Sequence, residues 1–169
     1  MPGSAIVFIN YLQAARFGHI GWGFLLEDGA SWCYGSTDHL WRKPWFDVPG
    51  WIAYSHVPEG SNNDWWMEIG DRDQMMSVMT RSHHIYYHAY KQVAANAIRP
   101  EAAIAAAKSM RSAGWSLVAN NCVHQTYRIL TDYGAVLPRP KIISGSVVPS
   151  TWFAQIKAES EFLVTGMHE

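Results

Sequence analysis

The sequence predicts an α+β domain: an antiparallel sheet built largely from the first half of the chain, with helices from the second half packed on it. Two observations carry this. Short β-branched and aromatic runs flank Glu27-Asp28-Gly29, whose Asp-Gly pair is the strongest short hairpin signal. Two amphipathic stretches with apolar residues three and four apart follow, one opened by Pro100-Glu101 and one running from Val123 to Tyr133. Strands first and helices later is the α+β order. No internal repeat or linker-like stretch divides residues 1–169, so a single domain is expected.

Taken in order, Ala5 to Ile9 reads as a first strand, and His19 to Leu26 pairs with Ser31 to Tyr34 across the hairpin. Alternation along the first hairpin strand sets His19, Gly21 and Gly23 on one face and Ile20, Trp22 and Phe24 on the other. Glycines beside a histidine leave room in front of its ring. Residues 36–50 read as a loop and Trp51 to Val57 as another strand, followed by the turn cluster Pro58 to Asn63. Asp71 and Gln74 have capping-box spacing ahead of Met75, Val78 and Met79, which predicts a short helix over 71–80. Ile85 to Val93 alternates aromatic and small residues and leans to strand. A helix starts at Pro100 and stops by Gly114; a short apolar run spans Trp115 to Ala119; the Cys122 helix ends at a left-handed Gly134. From Ala135 the prolines favour an extended wrap, with a last helical turn at Trp152 to Ile156.

The totals narrow the function classes. With 49% hydrophobic and 16% charged residues the chain has the composition of a folded protein. A net charge of −1 gives no overall electrostatic case for nucleic acid or an anionic membrane. The first ten residues lack the basic and apolar regions of a secretory signal, and no apolar run approaches the roughly 20 residues of a spanning helix. Two cysteines, Cys33 and Cys122, make no disulfide framework. The expectation is a cytoplasmic protein with free thiols, a Cys33–Cys122 bridge being the alternative. Nine Trp, eight Tyr and six Phe exceed what one core absorbs, so some should be exposed around a cleft; Trp41, Trp45, Trp65 and Trp66 are the candidates, with aromatic packing as the favoured reading for them.

The chemistry centres on Asn120-Asn121-Cys122-Val123-His124. A thiol in the first turn of a helix meets unpaired N–H groups and the positive end of the dipole, which favour the nucleophilic thiolate. Its base cannot be His124, because two positions along a helix is about 200° around it. His19, on its glycine-opened strand, is the best-placed alternative. His83, His84 and His88 invite a metal reading, but no carboxylate stands at ligand spacing, so no metal and no cofactor is expected.

Gly18-His19-Ile20-Gly21-Trp22-Gly23, then the hairpin, then Asn121-Cys122-Val123-His124 opening a helix resembles the circularly permuted NlpC/P60 proteins, papain-like thiol hydrolases that include the lecithin:retinol acyltransferase-like group. The likeness covers roughly 5–37 and 100–134, with the histidine 103 positions before the cysteine (122 − 19). It implies a permuted papain-like fold, Cys122 as nucleophile and His19 as base. Where the family carries a polar third residue, often a second histidine, this chain has Tyr34, with Ser36, Asp38 and His39 as competitors. The Cys122 backbone N–H would serve the oxyanion hole, with the Asn121 or Asn120 side chain beside it. The expected activity is amidase or peptidase cleavage of a small amide or peptide through a Cys122 thioester. An acyltransferase or thioesterase using the same pair is the alternative, and a non-catalytic binding module of the same fold is the third reading.

Overall fold

The computed structural model describes residues 3–37, 56–57, 64–81, 86–117 and 119–163. It is an α+β arrangement. The strands are β1 (Gly3–Asn10), β2 (His19–Leu25), β3 (Trp32–Thr37), β4 (His56–Val57), β5 (Trp65–Gly70), β6 (Ala89–Ala95), β7 (Trp115–Ser116) and β8 (Ser160–Phe162). The helices are α1 (Arg72–Arg81), α2 (Pro100–Met110), α3 (Cys122–Tyr133) and α4 (Pro149–Gln155). Six strands form one antiparallel sheet in the order β5-β3-β2-β1-β6-β8, while β4 and β7 make a separate pair.

The β2–β3 hairpin forms as its turn chemistry dictates. Asp28 Oδ1 accepts from the N–H groups of Ala30 and Ser31, and Gly29 takes a φ of +72°. The 71–80 helix is displaced by one residue: Asp71 stays outside it and its Oδ1 takes the Gln74 N–H at 2.8 Å. Strand β6 starts at Ala89, later than the alternation suggested. The apolar run after Gly114 contributes only Trp115–Ser116, paired with His56–Val57. Of the strand expected over 51–57, residues 51–55 lie outside the described residues. The expected turn at the C-terminal end is a full helix, α4, begun by Pro149.

Strand parity sorts the core into two layers. Ala5, Val7, Ile9, Ile20, Trp22, Phe24 and Cys33 face α2, α3 and α4, meeting Ala103, Val123, Ile129, Trp152 and Phe153. Ile6, Phe8 and Tyr34 face the other way, onto Met75 and Met79 of α1 with Tyr87 and Tyr90. Gly21 belongs to this second layer: a Cβ there would lie 2.6 Å from the Met79 methyl and 2.8 Å from the Tyr87 ring, so only glycine admits that approach. Gly134 caps α3 at φ +114°, as expected, its N–H bonded to Leu130 O and Thr131 O. Among the described residues no helix is long and apolar enough to cross a membrane.

The same burial makes the molecule sensitive to alkali. Burial pushes the Cys33 thiol from 9.0 up to about 12 and the Tyr34 hydroxyl from 10.0 up to about 12, the Tyr34 shift reinforced by the Glu68 carboxylate. Both folded values exceed the unfolded ones, so the stability they contribute is complete below pH 9.0 and is lost as pH climbs towards 12. Thermal melts are expected to fall across that window, and less steeply in a Cys33→Ala/Tyr34→Phe variant. An unchanged slope in that variant refutes the assignment.

Candidate functional site

The turn before α3 is built from side-chain amides. Asn121, in extended conformation (φ −86°, ψ −176°), caps the helix: its Oδ1 accepts from Val123 N–H at 3.0 Å and His124 N–H at 3.3 Å. Its Nδ2 donates to Leu117 O and Val147 O, both at 2.8 Å. Asn120 Nδ2 donates to Ala113 O and Gly114 O. Gln125 Oε1 accepts from the Thr37 hydroxyl, and its Nε2 donates to Gly114 O and Asn120 O. Together the three amides fasten the 113–121 loop to the end of β3, to residue 147 and to the first turn of α3. Cys122 opens that turn, 5% exposed and with a free thiol.

Gln125 was not singled out in the sequence. Its signal was present, since it lies three residues after Cys122 and interrupts the apolar stripe leading to Ile129. The oxyanion role expected of Asn121 or Asn120 meets a geometric obstacle, because both donor hydrogens of each amide are directed at backbone carbonyls. The Cys122 backbone N–H, in the first turn of the helix, has no carbonyl four residues back to bond within it.

His124 turns back onto the helix cap. Its Nδ1 lies 2.9 Å from Asn121 Oδ1, and burial lowers its pKa, so the ring is neutral at pH 7. It lines an open groove of about 580 Å³ between α3 and the turn after residue 138, with Ala119, Tyr127, Arg139, Ile142 and Ile143.

The structure does not bring His19 to Cys122. Parity puts the His19 ring on the Gly21 face, where it lies 5.9 Å from the Tyr87 ring, whereas Cys122 belongs to the layer of Ile20, Trp22 and Phe24. The sheet stands between them, and among the described residues no hydrogen bond joins the two. Instead His19 Nε2 lies 2.9 Å from Ser36 Oγ, which accepts from the Tyr87 hydroxyl at 2.8 Å and donates to Ile20 O at 3.2 Å. With the Ser36 proton on Ile20 O, His19 Nε2 is the donor. The residue meeting His19 is therefore Ser36, one of the competitors, and not Tyr34. Tyr34 pairs with Gly23, four residues further along β2, and its hydroxyl donates to Glu68 Oε2 at 3.2 Å. Asp38 and His39 lie outside the described residues.

Of the aromatic-cleft candidates, Trp66 meets the Tyr34 ring edge-on at 6.2 Å, and Trp41 and Trp45 lie outside the described residues. So do His83 and His84; His88 Nδ1 accepts the Tyr11 N–H at 3.1 Å. Among the described residues no group of three His, Cys, Asp or Glu side chains is placed to hold a metal ion. Comparison of the chain with protein-family models, with curated proteins and with solved structures returns no match.

Proposed function

We propose that the chain is a thiol-dependent hydrolase of the amidase or peptidase type, with Cys122 as nucleophile. The contrast between its two thiols supports this most. Cys33 is fully buried and its thiol is pushed up to about 12, which leaves it inert at neutral pH. Cys122 is slightly exposed and opens a 12-residue helix, its own backbone N–H in the first turn.

In the proposed reaction the thiolate attacks the acyl carbon of a small amide or peptide. The carbonyl electron pair moves to oxygen, facing the Cys122 N–H. The C–N bond then breaks, the amine leaves with the proton the thiol gave up, and water cleaves the thioester, releasing the carboxylic acid and regenerating the thiol. An acyltransferase or thioesterase would pass through the same intermediate with a different acceptor or donor. The permuted NlpC/P60 likeness assigns His19 as the base. In the arrangement described here, direct transfer between the two residues requires His19 to leave Ser36 and the start of β2 to rearrange.

That separation favours a second reading, a binding module that keeps the fold without the chemistry. Iodoacetamide labelling at neutral pH, read by peptide mass spectrometry, decides between them. Hydrolysis predicts Cys122 labelled well ahead of Cys33. A fall of about tenfold or more in His19→Ala supports the pair, and an unchanged rate limits His19 to holding the sheet end. Labelling of neither cysteine, or of Cys33 first, sinks the enzyme reading. The intact mass of protein purified from its host would identify any acyl group carried on Cys122, and with it the substrate class.

A further inference from the structure

The net charge of −1 conceals an uneven distribution. Residues 1–26 contain Arg16 and no acidic residue, and residues 133–158 contain Arg139, Lys141 and Lys157 and no acidic residue. These two stretches meet at the start of α4, where Ser150 N–H bonds to Phe17 O and Gly18 approaches Pro149. Among the described residues they also carry large apolar side chains left in water: Leu12 at 59%, Phe17 at 60%, Ile142 at 66% and Ile143 at 102% exposure.

The Ile142-Ile143 tip is held in place by its own turn. Lys141 N–H donates to Ser146 Oγ at 2.7 Å, Ser146 N–H returns to Lys141 O at 3.1 Å, and Gly145 N–H closes on Ile142 O at 3.0 Å. Gly145 takes φ +67° to allow this, and Ser146 is itself buried. A fully exposed isoleucine on a braced turn, with Arg139 and Lys141 beside it in a stretch of sequence free of acidic residues, has the chemistry of an interfacial anchor. Apolar tips enter the headgroup boundary while Arg and Lys stay at the phosphate level.

We propose that this end of the molecule docks on an anionic lipid surface, through Ile142 and Ile143 with Arg139 and Lys141, joined by Leu12, Arg16 and Phe17 of the β1–β2 loop. Charge complementarity selects this occupant over a second copy of the chain, which would set cations against cations. The inference does not depend on the thiol chemistry proposed above.

Co-sedimentation with vesicles tests it, using phosphatidylcholine alone and phosphatidylcholine with phosphatidylglycerol in equal parts. The whole chain is expected to sediment with the mixed vesicles, to remain in solution with the neutral ones, and to be released by high salt. Arg139→Glu and Lys141→Glu should each weaken binding about fivefold or more. Ile142→Ser/Ile143→Ser should remove most binding with little change in melting temperature, since both side chains are mostly exposed. Wild-type protein that stays in solution with both vesicles overturns the proposal. Binding that survives the isoleucine change overturns it too. A dimer that this change dissociates, with no vesicle binding, reassigns the tip to self-association.

Discussion

An Asn121→Ala variant is expected to lose about 2–4 kcal/mol of stability, about one from the missing helix cap and the rest from two carbonyls left without a donor. For a chain of 169 residues this lowers the melting temperature by about 5–15 °C. The basis is that one side chain serves four backbone groups, Val123 N–H, His124 N–H, Leu117 O and Val147 O, the last of them in a buried bond. Asn121→Asp separates the contributions. It keeps the cap and adds a favourable charge at the helix N-terminus, but it cannot donate to either carbonyl. Asp should therefore recover only about 1 kcal/mol of the loss to alanine. Full recovery by aspartate would mean that the bonds to Leu117 and Val147 contribute nothing.

Trp152→Ala should cost about 3–5 kcal/mol, the range for emptying the site of a large buried aromatic. Trp152 is fully buried among residues of the α2–α3–α4 layer, and its indole N–H donates to Pro138 O at 2.7 Å. That bond fastens the segment after Ala135 onto the core. Trp152→Phe keeps most of the apolar volume and should cost about 1–3 kcal/mol, chiefly for the unpaired carbonyl. Chemical denaturation of both variants measures the difference. Equal losses would assign the whole effect to the hydrogen bond and none to the cavity.

Features decided within a few residues were legible in the sequence. The Asp28-Gly29 turn and the Gly134 stop both rest on local hydrogen bonds and on φ preferences. Strand β5 was not legible. Trp65 to Gly70 lacks alternation because most of the strand is only partly buried, and it is a strand through its pairing with β3. Strand β8 is exposed at all three positions and rests on its pairing with β6.

At the site, the place of Cys122 at a helix start followed from local sequence, whereas the surroundings of His19 did not. Parity correctly grouped His19 with Gly21 and Gly23, but it could not say which face the cysteine helix would cover. The bulky face of Ile20, Trp22 and Phe24 took α3, because that burial removes more apolar area from water. The glycine face, which suggested open space before the histidine, is filled by Met79 and Tyr87.

The place of β1 inside the sheet constrains how the chain can assemble. Its partner on one side, β2, follows after one short loop, but its partner on the other side is β6, with Gly3 set opposite Ala95. Until the chain has been made that far, this largely buried apolar strand has one unpaired edge, and closing it joins residues far apart in sequence. Folding should therefore wait on the β1–β6 pairing. The exposed edge in the interval is a template for pairing with other chains, which makes the speed of that closure the main guard against aggregation.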